Sequence, residues 1–162
     1  MIWFTADWHL WHENIIEACD RPFTKCRNMH RTIKHNYNEL VGENDHVYII
    51  GDVYWKRSVE ELERMISGYK GHKHLILGNH DNLKPFDYIE AGFSQVATSL
   101  EVDEFTLNHD PVVSYLRPDK PHICGHVHNM YKRCKNVLNV GVDIWDFKPV
   151  SIERVRFEFG IN

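Results

Sequence analysis

Nowhere does this sequence run for the ~18 uncharged apolar residues of a membrane span. Its opening, Met1 to Asp7, has no basic stretch and meets an acid at the seventh position, which does not fit a secretory leader. The four cysteines, Cys19, Cys26, Cys124 and Cys134, include no CxxC pair. A chain with a real core does not need disulfide staples, so reduced, buried thiols in a cytoplasmic protein are expected. No Gly/Ser linker, low-complexity tract or internal repeat marks a boundary, and residues 1–162 are expected to form a single domain. A basic excess is also missing. Lys and Arg number 19 against 23 Asp and Glu, a net charge of -4, which excludes a protein that holds long nucleic acid chiefly by neutralising phosphates. Any phosphate bound here must be held by something local.

What the chain does have is apolar mass and histidine. It is 43% hydrophobic, with eight Phe, seven Tyr and five Trp, enough to bury a sizeable core. It also carries twelve His, the residue type that both ligates metals and titrates near neutral pH. The apolar residues come in short runs that stop at polar clusters. Met1 to Ala6 runs into Asp7-Trp8-His9, His46 to Ile50 into Gly51-Asp52, and His74 to Leu77 into Gly78-Asn79-His80-Asp81. Between these runs Met29, Ile33, Tyr37 and Leu40 recur at helical spacing. Ser58 with Glu61 forms a capping box ahead of Val59, Leu62 and Met65. Strands alternating with helices on short connections imply a parallel sheet with crossover helices. After residue 92 the spacing tightens: Glu104–Asn108, Pro121–Cys124, Asn136–Val142 and the alternating Val155, Phe157 and Phe159 all read as strands. The expected architecture is an α/β domain whose second half adds a more antiparallel sheet.

Open α/β sheets bind ligands beyond the carboxyl ends of their strands, where residues distant in sequence converge. The residues at such ends are Asp7, His9, Asp52, Asn79, His80, His109, His126 and His128. One of these histidines alone is more often a surface or satisfied core residue. Eight oxygen and imidazole donors in order at strand ends are another matter, and they suit a divalent cation better than a thiolate-bound structural zinc.

The ordered blocks Asp7-x-His9, Gly51-Asp52, Gly78-Asn79-His80-Asp81, His109 and Gly125-His126-x-His128 resemble those of the calcineurin-like metallophosphoesterases. The likeness spans residues 7–128. The HENII that follows Trp11 and the NVGVDIWDFKPVSIE stretch are similar to the small single-domain bacterial and phage members. The resemblance implies a two-sheet β-sandwich flanked by helices in four αββα layers, and two divalent ions of the Mn, Fe, Zn or Ni kind. Asp7, His9, Asp52 and His128 would hold one ion and Asp52, Asn79, His109 and His126 the other, with Asp52 bridging. His80 would contact the phosphate and protonate the leaving oxygen, oriented by Asp81. Two such ions restore the positive charge that the composition lacks and acidify a water between them. The implied reaction is hydrolysis of a phosphomonoester or phosphodiester, with a small phosphoester, nucleotides included, as partner, and neither membrane nor long nucleic acid.

Softer candidates surround this set. His12 lies three residues after His9 and is a candidate for the substrate phosphate, as is Asn79. Arg117, with Lys120, Lys132, Arg133 and Lys135, forms a basic run around the HisValHis block; a solvated surface competes with a phosphate-binding rim there. Tyr54 and Trp55 follow the Gly-Asp block and offer faces for a nucleobase, or packing. His30, His35, His46, His72, His74 and His122 are expected at solvated or strand-edge positions. A non-catalytic scaffold of the same fold is the alternative; the filled ligand positions count against it. A nucleic-acid-binding module conflicts with the charge, and a metallo-β-lactamase fold with the absence of an HxHxDH block.

Overall fold

The computed structural model describes residues 1–56 and 58–161. Its strands are β1 (Ile2–Thr5), β2 (His46–Ile50), β3 (His72–Ile76), β4 (Gln95–Ala97), β5 (Leu100–Val102), β6 (Phe105–Leu107), β7 (His122–Cys124), β8 (Arg133–Cys134), β9 (Val137–Asn139) and β10 (Val150–Ser151). The helices are α1 (Asn14–Ala18), α2 (Cys26–Leu40), α3 (Val59–Ile66), α4 (Pro85–Glu90) and α5 (Ile152–Phe159), and a 3-10 helix covers Pro111–Leu116.

Two five-stranded mixed sheets pack face to face with helices flanking them. The first has the order β10-β1-β2-β3-β4, in which β1 to β4 are parallel and β10 is antiparallel to β1. Period-2 alternation divides its side chains between two cores. Val47 and Ile49 of β2 face the helices with Met29, Ile33 and Leu62, whereas Phe4, Ile50 and Ile76 face the second sheet and meet Phe105, Leu107, Ile123 and Leu138. The second sheet runs β5-β6-β7-β9-β8; its outer pairs are antiparallel, but β6, β7 and β9 are parallel. The second half is therefore less antiparallel than its closely spaced strands imply, because the 3-10 helix and β8 serve as crossovers.

Three local expectations need correcting. Val155, Phe157 and Phe159 alternate, yet residues 152–159 form a helix. Ile152, Val155 and Phe159 also sit one helical face apart, and the caps decide between the periods: Ser151 accepts from the Arg154 N–H, and Gly160 ends the helix at φ 72°. Phe157 is left 72% exposed. In α2 the stripe Met29, Ile33 and Tyr37 is buried, but Leu40 is 43% exposed, and Val41 turns inward at the helix end in its place. The capping box of α3 is half made. Ser58 Oγ accepts from the Glu61 N–H, while the Glu61 carboxylate accepts from the Tyr54 hydroxyl at 2.9 Å. Cys19, Cys26 and Cys124 are buried thiols as expected; Cys134 is exposed. Among the described residues no helix is long and apolar enough to cross a membrane.

Candidate metal centre

Because the sheets stack, the carboxyl ends of β1, β2 and β3 and of β6, β7 and β9 open on the same edge of the sandwich. The loops leaving them run side by side: the Asp7 N–H donates to the Gly51 carbonyl, His9 N–H to Asp52, Leu10 N–H to Val53, and Gly125 N–H to His109. This backbone ladder continues past the strands and brings the seven expected ligands together. Asp52 Oδ2 lies 3.5 Å from His9 Nε2 and 3.4 Å from His109 Nε2. Asn79 Oδ1 lies 3.0 Å from His109 Nε2 and 2.9 Å from His126 Nδ1. The His126 N–H donates to both oxygens of Asp7 at 3.1 Å. Donor atoms of Asp7, His9 and His128, and separately of Asp7, Asp52 and His109, gather within 4.8 Å of one another. The two groups have Asp7 in common, and Asp52 Oδ2 lies between His9 of the one and His109 of the other.

The loops are strained to achieve this. Five of the seven candidate ligands have left-handed backbone: Asp7 (φ 58°), His9 (48°), Asp52 (54°), His126 (72°) and His128 (46°). Each costs on the order of 1–3 kcal/mol outside glycine, and such strain collects at functional sites. Close approach demands glycine elsewhere. A Cβ on Gly141 would stand 2.6 Å from Asp7 Oδ2, and one on Gly51, itself at φ 81°, would collide with the His109 ring.

A test of fit for a cation comes from His9. Its Nε2 is buried without a hydrogen-bond partner, a costly state that a lone pair directed at a cation relieves. Four imidazoles, two carboxylates and one amide carbonyl suit borderline divalent transition metals. The residues present therefore fit the group. The electrostatics are those of charges crowded away from water. Burial raises Asp7 to about 6 and lowers His9 to about 2. Burial also opposes ionisation of Asp52, but its bond to His109 and that ring's charge hold it near about 2. His109 resists its own burial through Asp52 and Asp7 and rises to about 9.

A second layer, which the sequence did not reveal, orients the ligands. Arg21 is 5% exposed; its guanidinium grips both oxygens of Asp143 at 2.7 and 2.8 Å and donates to the Asp7 carbonyl at 2.8 Å and the Trp8 carbonyl at 3.3 Å. Asp143 in turn accepts from His128 Nδ1 at 3.0 Å, which leaves Nε2 as the free nitrogen. Although burial works against it, His128 rises to about 10 through its bonds to Asp143 and Cys19. The Ile50 carbonyl does the same for His109, accepting from Nδ1 at 2.8 Å. Fully buried Asn139 accepts from the Gly141 N–H and donates to the His128 and Tyr131 carbonyls. Asn139 closes β9 and Asp143 follows it in the same NVGVD stretch, and their position at a strand end was the available signal.

The remaining expected residues divide. His80 is half-buried beside the ligands, 5.6 Å between ring centroids from His9 and 5.0 Å from Trp55, and its N–H donates to Asp52 Oδ1 at 2.8 Å. Asp81 does not touch the His80 ring. Its carboxylate is taken up by the Asp52, Val53 and Gly78 N–H groups at 2.8, 2.9 and 2.8 Å, so it ties the β2 loop to the β3 loop. His12 is committed to the ligand shell: its Nδ1 is 3.1 Å from His9 Nδ1, and its ring stacks on Trp55 at 3.6 Å and 4°. Arg117 is exposed at the end of the 3-10 helix, and its carbonyl accepts from His122 Nε2; it makes no contact with the ligands. Its basic neighbours are paired elsewhere, Lys120 with Glu101 and Lys132 with Glu158. Tyr54 is buried. Two histidines expected at solvated positions are also buried, His122 and His30, the latter accepting from the Trp11 N–H at 2.9 Å.

A calcineurin-like phosphoesterase family model matches residues 1–147. The chain is 29% identical over 157 residues to an uncharacterized protein of Methanocaldococcus jannaschii, covering 95% of this chain and 88% of that one. It is 27% identical over 181 aligned positions to the gene 66 protein of Mycobacterium phage L5, covering 88% and 86%. In fold it is similar to a protein of unknown function from Aquifex aeolicus, with a TM-score of 0.78 at 24% identity over 98% of each chain. It is similar too to the Pseudomonas putida nuclease MPE, with a TM-score of 0.55 at 20% identity over 78% of this chain and 61% of the nuclease.

Proposed function

Because the chain belongs to the calcineurin-like phosphoesterase family, we propose that it is a phosphoester hydrolase working with two divalent ions, and that residues 1–162 act as one domain. Asp7, His9, Asp52 and His128 hold one ion and Asp52, Asn79, His109 and His126 the other. The observation that carries this reading is Asp52 Oδ2, set nearly equidistant from His9 Nε2 at 3.5 Å and His109 Nε2 at 3.4 Å. Divalent ions bound there supply positive charge for a phosphate and a nucleophile at neutral pH.

The chain's own groups do the rest. Arg21 and Asp143 fix the tautomer of His128, and Ile50 fixes that of His109, so that each presents one nitrogen inward. His80 stands at the open side with its backbone anchored on Asp52, where its ring can hand a proton to the leaving oxygen, a task worth about 10²- to 10⁴-fold. Asp81 serves that acid indirectly, by fixing the two loops between which it sits. Mono- and diesters both suit a centre of this kind.

Purified protein supplied with Mn²⁺ is expected to hydrolyse bis-p-nitrophenyl phosphate or p-nitrophenyl phosphate. His80→Ala should keep its metal content, read by elemental analysis, and lose at least about 100-fold in kcat. A fully metal-loaded wild type inert toward both esters would sink the hydrolase reading in favour of a scaffold, and an unaltered kcat in His80→Ala would remove the acid role.

A further inference from the structure

Beside the metal centre, on the side of His12, the surface hollows into a cavity of about 360 Å³ lined by Trp11, His12, Glu13, Asn14, Trp55 and Lys56. That size lies in the ~300–1,000 Å³ range of small-molecule sites. We propose that this hollow is a nucleobase subsite, with Trp55 as its stacking platform, and that the substrate is a nucleotide ester whose base lies here while its phosphate lies on the metal centre. The inference rests on the phosphoesterase reading above and adds the substrate class to it.

Three features point to a base. The first is Trp55 itself. It directly follows buried Tyr54, whose hydroxyl is bound to Glu61, yet Trp55 remains 39% exposed. Its backbone is fixed by donation to the Leu10 carbonyl at 3.0 Å, and one face of the indole is backed by His12 at 3.6 Å and 4°. A large aromatic plane that is held on one face and 39% exposed to solvent is what a planar heterocycle stacks on without regard to its identity. The second is continuity with the chemistry. His12 connects Trp55 to His9, whose Nδ1 is 3.1 Å away, and His80 lies 5.0 Å between ring centroids from Trp55. A base on Trp55 is therefore within the span of one sugar from the candidate acid and ligands. The third is the polar lining. Lys56 Nζ stands 4.1 Å from the centre of the Trp11 ring, and Glu13 and Asn14 add hydrogen-bonding groups, so the hollow offers an apolar plane ringed by polar atoms. An acyl or alkyl leaving group would find no use for that combination.

The experiment compares two diesters with the same leaving group, the p-nitrophenyl ester of thymidine 5′-phosphate and methyl p-nitrophenyl phosphate, in metal-loaded wild type, Trp55→Ala and Trp55→Phe. The quantity read is the ratio of kcat/KM for the thymidine ester to that for the methyl ester, which cancels any effect of Trp55 on the metal centre through His12. Trp55→Ala is expected to lower the ratio by roughly 5- to 150-fold, the equivalent of one base stack, mainly through KM. Trp55→Phe, which keeps an aromatic plane, should hold it within about threefold. As a readout without turnover, thymidine 5′-phosphate should quench wild-type tryptophan fluorescence and lose that quench in Trp55→Phe. A ratio in Trp55→Ala equal to that of wild type, or a quench unchanged in Trp55→Phe, overturns the subsite while leaving the hydrolase reading intact. Failure of every ester in metal-loaded wild type overturns the hydrolase reading, and the quench still tests the subsite.

Discussion

The sandwich carries histidine at both ends of its strands, and the two ends behave differently. At the carboxyl ends of the strands, His9 and His109 are buried, each with one ring nitrogen engaged by a neighbour and the other turned toward Asp52. At the amino ends, His46 and His72 face each other in register on β2 and β3, and His46 Nδ1 lies 2.9 Å from His74 Nε2. There the rings stack on one another, 5.0 Å between His46 and His72, in regular extended backbone with two of the three exposed. His46 and His74 partner each other, while His74 Nδ1 is buried without a hydrogen-bond partner. At the other end Asp143, held by Arg21, engages one side of His128, the Ile50 carbonyl one side of His109 and His12 one side of His9, and the second nitrogen of each faces the site. Histidine content and a buried, unpartnered ring nitrogen are shared by both ends; carboxylates gathered beside that nitrogen are found, among the described residues, only at the carboxyl ends.

The comparison can be broken at its strongest point first. Asp52→Ala removes the oxygen that the two proposed ion sites share, and turnover of the p-nitrophenyl esters should fall below detection, with fewer than two ions bound per chain by elemental analysis. Asp143→Ala should weaken metal affinity by about 10- to 100-fold in calorimetric titration. Because it leaves the Arg21 guanidinium buried without its carboxylate, it should also destabilise the fold by about 3–5 kcal/mol in urea unfolding. A smaller effect concerns His30, whose pKa burial lowers to about 4 from 6.5. Between those values the unfolded chain binds a proton that the folded one refuses, so the stability it contributes is complete above about pH 6.5 and is lost as pH falls toward 4. His30→Gln should flatten that part of the stability curve. The smallest change is expected from His46→Ala with His72→Ala, which should leave metal content unaltered and stability within about 0.5 kcal/mol per site. A loss of bound metal in that double variant would erase the distinction between the two ends.

The candidate ligands were legible as a cluster because a strand stops where its polar residues begin, and the sequence writes that stop openly at Asp7, Asp52 and Asn79. The parallel order of β1, β2 and β3 follows from the same alternation. The short strands β4, β5, β8 and β10 have two or three residues each and leave no period to read. In α5 two periods coincide over Val155 and Phe159, and only the caps separate them. Arg21, Asp143 and His30 escaped for another reason. Their partners are backbone carbonyls, a backbone N–H and one another, and nothing in residue type or spacing records a contact across 122 positions. Asp81 was found but its task was misplaced, since a carboxylate next to a candidate acid looks like its partner until three N–H groups are seen to occupy it.

Arg21 also sets a timetable. All seven candidate ligands have been synthesised once residue 128 is made, but the carboxylate that Arg21 grips, and to which His128 is bonded, is added only at residue 143. At ~5–20 residues per second the interval is about one to three seconds. During it the nascent chain has every candidate donor atom but not the carboxylate that joins Arg21 to His128, so the orientation of that one imidazole is completed last.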